Sequence, residues 1–217
     1  GESEDMVLQN IGDISVKFKS VLNLSLPVDG PIFVYSNWLG YGVEAFGTVL
    51  ESLGFVRFPK KGPPGKTYFI WSPSVEDDKD VIKLARLTFN NPNNKDGSLI
   101  KYMLGTSSIK EGVSFKNISQ IHILDPWWNN SRIEQIIARG FRLCSHADLS
   151  PDKRYADVYK HVGVLSGIYS DDKLEDPDIT AMFTSVFEQF KNMSSVSIDS
   201  FPKGIDPYIF KLISEGK

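Results

Sequence analysis

Cysteine is almost missing: Cys144 stands alone among 217 residues, and only His122, His146 and His161 supplement it. One thiol excludes an internal disulfide framework, and so few soft ligands cannot complete a tetrahedral Cys/His zinc cluster. The setting implied is reducing and intracellular. An excess of charge is missing as well, since 24 Lys plus Arg against 27 Asp plus Glu leave a formal net charge of −3. No global basic field draws nucleic acid to the surface, so any such site must be a local patch. No window approaches ~18 consecutive apolar residues and no charged-then-apolar leader opens the chain, so neither a membrane span nor a secretory signal is expected. No base–nucleophile pair or paired-carboxylate spacing stands out, which leaves a small-molecule enzyme with little support. The opening Gly-Glu-Ser-Glu-Asp reads as the scar of a piece cut from a longer protein. What is present, 41% apolar and 12% aromatic residues, suffices for one sizeable folded domain with an appendage.

The apolar pattern alternates between the two periods. Ile14, Phe18, Val21 and Leu22 recur at helical spacing, so residues 1–29 read as a lead-in helix stopped by Pro27, Asp29 and Gly30. Pro31-Ile32-Phe33-Val34-Tyr35-Ser36 is a strand buried on both faces, and Val43 to Leu53 a helix ended by Gly54. Thr67 to Trp71 reads as a second strand. Ser74 and the acids after it open a helix running to Phe89, with Lys83 and Arg86 placed to suit its dipole. Leu99 to Leu104 and Ile118 to Leu124 give two more strands. Asn130 to Leu143 is a helix with Ser131 and Glu134 as a capping box, and Val158 to Leu165 a fifth strand. Strands alternating with helices over connections too long for hairpins imply parallel pairing in a three-layer α/β domain over residues 30–167. The acidic, turn-rich stretch after Gly167 introduces a helical extension over residues 168–217.

Gly62-Pro63-Pro64-Gly65-Lys66-Thr67 imitates the end of a phosphate loop. Lys60 stands where that pattern needs glycine, the prolines remove N–H donors, and a strand follows where a helix N-terminus is required. A hairpin-like surface loop is the better reading. Arg57, Lys60, Lys61 and Lys66, beside Phe58 and Tyr68, could touch a nucleic-acid backbone or simply be solvated.

Residues 104 to 146 carry the chemistry. At ~100° per residue, Gln135, Arg139 and Arg142 fall within roughly 60° of one another, with Ile133, Ile136, Ile137 and Leu143 opposite. Two guanidiniums and an amide on one ridge suit polyphosphate, because a planar, permanently charged fork holds phosphate oxygens and the charge that develops as a γ-phosphoryl group departs. The plainer alternative is a helix exposing two arginines to acids such as Asp125 or Asp148. Upstream, Gly105-Thr106-Ser107-Ser108 offers hydroxyls and N–H groups at the carboxyl end of a strand, where open α/β sheets bind ligands.

Gly105-Thr106-Ser107-Ser108-Ile109-Lys110-Glu111-Gly112-Val113-Ser114-Phe115, then Ile121 to Asn129, then Glu134-Gln135-Ile136-Ile137-Ala138-Arg139-Gly140-Phe141-Arg142, resemble in order motifs V and VI of superfamily 2 helicases. The wording is most similar to the Swi/Snf-like and poxvirus-type nucleoside triphosphatases of large cytoplasmic DNA viruses, including the small subunit of the viral early transcription factor. Phe33 to Asn37, with Gly42 and Leu50 to Gly54, resembles motif IV, so the resemblance spans about Ile14 to His146. It implies the second of two RecA-like lobes, with a mainly parallel sheet, in an ATP-driven nucleic-acid motor. Arg139, Arg142 and Gln135 match positions that reach the triphosphate across the cleft. Glu111, Gly112 and Ser114 match the end of motif V near the nucleotide. Thr106 and Ser107, with Ser36 and Asn37, match positions beside the nucleic-acid backbone. Ala138 replaces a common glycine and Ser114 a common acid.

The implied cofactors of the full-length parent are ATP and Mg²⁺, the latter held by the other lobe. The implied partners are DNA or RNA, the N-terminal RecA-like lobe and viral transcription machinery, in host cytoplasm or virion. No Walker A loop or Asp-Glu-x-His box occurs in these residues, so the chain by itself is expected to neither turn over ATP nor unwind. The competing expectation is a non-catalytic docking module of a viral transcription complex.

Overall fold

The computed structural model describes residues 10–12, 14–72, 78–107, 109, 114–126, 130–140 and 145–162. All belong to the first of two units into which the chain divides, Gly1–Val162. The extension expected over residues 168–217 lies outside the described residues.

After a helical stretch at residues 10–12, helix α1 (Val16–Ser25) is capped by the Ser15 hydroxyl accepting from the Phe18 N–H. Strand β1 (Ile32–Tyr35) follows, then a π-helical turn at Leu39–Glu44 that continues into α2 (Ala45–Ser52). Next come β2 (Val56–Arg57), β3 (Thr67–Trp71), α3 (Lys79–Phe89), β4 (Tyr102–Gly105), β5 (Gln120–Ile123), α4 (Asn130–Gly140) and β6 (Asp157–Lys160). The sheet order is β2-β3-β4-β1-β5-β6, and every strand pairing among the described residues is parallel. The three-layer α/β expectation therefore holds, with six strands in place of five.

Three expectations need correcting. The missed strand is β2, whose two residues are too short to show any period. It pairs parallel to β3, so the loop between them returns the chain to the same end of the sheet and is not a hairpin. Helix α3 is capped by Asp78, whose carboxylate accepts from the Asp80 N–H, while Ser74 lies outside the described residues. Helix α4 already begins at Asn130, which puts Ser131 inside the first turn and not at the cap.

Strict alternation along β1 builds two cores. Ile32 and Val34 pack with Phe18, Val21 and Leu22 of α1 and Phe46 and Leu50 of α2. Phe33 and Tyr35 pack on the other face with Ala85 and Phe89 of α3 and Ile133 and Ile136 of α4. Fully buried Phe115 sits within 5.0 Å of the Phe33 ring, 5.5 Å of Phe89 and 6.2 Å of Trp71, centroid to centroid. With Ile109 and Ile118 it nails the long β4–β5 connection onto that face.

Beneath α1, β5 turns a polar seam inward. The Gln120 amide donates to the Leu24 carbonyl at 3.2 Å, which fixes its oxygen toward His122 Nε2 at 3.0 Å. That nitrogen must carry the proton, so His122 Nδ1 accepts from His161 Nε2 at 2.9 Å. Burial pushes both imidazoles down, His122 to about 3 and His161 to about 4, and the pair is neutral.

Candidate functional site

The connection leaving β1 crosses one face through α2 to the edge strand β2. Those leaving β4 and β5 run the opposite way over the other face. The carboxyl ends of β1, β4 and β5 therefore surround the point where the connections diverge, the crevice in which open α/β sheets bind ligands.

At that crevice Asp125, two residues beyond β5, clasps the end of β1. Its Oδ2 accepts the Ser36 hydroxyl in a short bond and the Asn37 backbone N–H at 3.3 Å. Its backbone carbonyl accepts the Asn37 side-chain amide at 3.1 Å, and Asn37 Oδ1 accepts the Tyr35 hydroxyl at 3.0 Å. Ser36 has no exposed surface. Its hydroxyl also accepts the Trp38 N–H at 3.1 Å, so Ser36 shapes the crevice from beneath and presents nothing to a ligand. The carboxylate named above as an acid for α4 arginines is thus committed to β1. Gly42 is required here: a Cβ would press on the Ser36 side chain, 2.6 Å from its Cβ.

Thr106 and Ser107 follow β4, Thr106 nearly buried and Ser107 exposed. The Thr106 carbonyl accepts the Ile109 N–H at 3.1 Å, closing a turn whose Ile109 side chain lies over Gly105. Ser114 is held at the far end of the same connection. Asn90, at the end of α3, donates to the Ser114 carbonyl at 3.0 Å and accepts the Lys116 N–H at 2.8 Å. Neither Asn90 nor the role of Asp125 was visible in the sequence, because both act through contacts between distant segments.

Helix α4 lies on the same face. Ile133 and Ile136 sink into the core while Glu134, Gln135 and Ala138 are exposed, so the ridge carrying Gln135 points away from this lobe. Arg139 stands one turn further along α4, at a position whose side chain lies outside the described set, and Arg142, Glu111 and Gly112 lie outside the described residues.

The phosphate-loop imitation is structural. Lys66 Nζ donates to the Leu53 carbonyl at 3.1 Å and sits 4.7 Å over the Phe55 ring, and Thr67 already belongs to β3. Lys60 and Lys61 are exposed. Among the described residues no three His, Cys, Asp or Glu side chains converge to hold a metal, and no helix is long and apolar enough to cross a membrane.

Residues 85–144 match the family described as Helicase conserved C-terminal domain. A protein named as an ATP-dependent RNA helicase in Acanthamoeba polyphaga mimivirus is 40% identical over 74% of this chain and 28% of its own length. A helicase of Invertebrate iridescent virus 3 is 35% identical over 80% of the chain and 19% of its length. Nucleoside triphosphatase I of Heliothis armigera entomopoxvirus is 37% identical over 65% and 22%. The chain thus spans between about a fifth and just over a quarter of these relatives. Over residues 85–144 the chain matches the helicase conserved C-terminal domain, and over most of its length it is similar to proteins named as helicases and a nucleoside triphosphatase of large DNA viruses.

Proposed function

We propose that this chain is the second motor lobe of an ATP-dependent nucleic-acid helicase or translocase, working with a preceding RecA-like lobe of its full-length parent. The observation that carries the reading is the set of α4: Ile133 and Ile136 are buried, which leaves the Gln135 ridge free to face a second lobe. Arg139 and Arg142, which the sequence spacing sets beside Gln135, hold the charge that develops on the γ-phosphate, a contact worth ~10³ to 10⁵ in rate. Bound ATP supplies the phosphoryl group. Gln135 orders the polyphosphate, and Glu111, Gly112 and Ser114 serve nucleotide binding in this reading. Asn37, Thr106 and Ser107 take the nucleic-acid backbone, with Ser36 and Asp125 as their support. In this reading Mg²⁺ is held by the other lobe. Closing on ATP and opening after hydrolysis then moves the strand across the crevice.

The test is made on the full-length protein. Arg139→Ala and Arg142→Ala are expected each to lower strand-stimulated ATP turnover by ~10³-fold or more with the melting temperature unchanged. Ordinary turnover in both variants overturns the assignment.

A further inference from the structure

Two exposed aromatic rings follow the clasp at the end of β1. Tyr41 is 93% exposed and Trp38 49% exposed; Trp38 is the extended residue that precedes the π-helical turn Leu39–Glu44, and Tyr41 lies within that turn. Neither ring pairs with another aromatic group among the described residues, although the core is rich in such pairs. A nearly free tyrosine contributes little to folding, and one such residue alone is ordinary. The backbone that presents it is not. Trp38 donates its N–H to Ser36 Oγ at 3.1 Å, the Val43 N–H closes the turn on the Trp38 carbonyl at 3.2 Å, and Asp125 anchors Ser36 and Asn37 below. Gly42 packs against Ser36 with no room for a side chain. A π-turn built on a fixed clasp holds its outward side chains in place before any ligand arrives, and such turns gather at functional sites.

Resting on the proposed function, we infer that Trp38 and Tyr41 form a stacking platform for the bases of single-stranded nucleic acid whose backbone passes Asn37, Thr106 and Ser107. The chemistry fits one occupant. Hydroxyl and amide groups at the ends of β1 and β4 suit sugar and phosphate oxygens, and the adjoining rings suit the π-faces that every unpaired base displays. A duplex hides those faces within its own stack. The platform therefore selects unpaired strand over duplex without reading base identity.

The experiment compares the full-length protein with its Tyr41→Ala and Tyr41→Phe variants by fluorescence anisotropy, using ~20-nucleotide oligo(dT) and oligo(U) and a blunt duplex of equal length. Tyr41 is so exposed that its loss leaves the fold intact. Tyr41→Ala is expected to weaken both single strands by ~5- to ~150-fold, to leave duplex affinity and the salt dependence of binding unchanged, and to be rescued by Tyr41→Phe. The inference is overturned if Tyr41→Ala binds single strands within twofold of the unmodified protein, if duplex affinity falls equally, or if the variant instead changes oligomeric state in sedimentation. A parent whose ATPase ignores every strand would defeat the motor assignment itself, whereas normal strand stimulation with an indifferent Tyr41 defeats only the platform.

Discussion

At the scale of single residues, the buried imidazoles carry the clearest prediction. An unfolded chain takes up protons near the ordinary histidine value of 6.5, but folded His122 and His161 resist until about 3 and about 4. The unfolded state therefore binds more protons across that window, and stability must fall as pH drops from about 6.5 toward about 4. Urea unfolding at successive pH values should show this loss, and His122→Gln should flatten the curve; equal slopes in both proteins would contradict the seam described beneath α1. The sequence exposed His122 only as a member of an apolar strand. Gln120 shares its face two residues back on the same strand, but His161 arrives only through the β5–β6 pairing, which no local pattern encodes.

At the scale of elements, legibility followed length and burial. Strands β1 and β3 were readable because their apolar, branched and aromatic runs sit inside the sheet, whereas β2 has two residues and no period. The buried face of α4 was readable because Ile133 and Ile136 recur at helical spacing. The turn Leu39–Glu44 was not, since its glycines look like an ordinary loop until Ser36 and Asp125, 89 residues apart, are seen in contact. The junction from α3 to β4 hides another such device. Asn94, with no exposed surface, donates to the Phe89 and Ile100 carbonyls at 3.0 and 3.1 Å and accepts the Leu99 and Ile100 N–H groups at 2.9 and 3.0 Å. Asn94→Ala strands four backbone groups at once and should cost about 3 kcal/mol or more in chemical denaturation. A loss below about 1 kcal/mol would mean that water replaces the side chain.

At the scale of the whole molecule, the parallel sheet fixes both where the ligand edge lies and the order in which the fold can close. The carboxyl ends of β1, β4 and β5 meet only after the chain has crossed both faces, so the clasp cannot close before Asp125 exists. The parallel pairing was legible in the strand–helix alternation, although the strand order was not. Ile32 on the central strand lies against Tyr102 and Gln120, separations of 102 − 32 = 70 and 120 − 32 = 88 residues. During synthesis at ~5 to 20 residues per second, β1 leaves the ribosome ~3.5 to 14 s before its first neighbour exists. For that interval a tetrapeptide destined for complete burial has nothing to pair with, which makes the nascent chain a client for holding chaperones. Pulse-labelled translation with chaperone depletion should therefore raise the insoluble fraction of this chain, and Ile32→Thr, which makes the waiting strand less sticky, should lower that fraction even while weakening the finished fold.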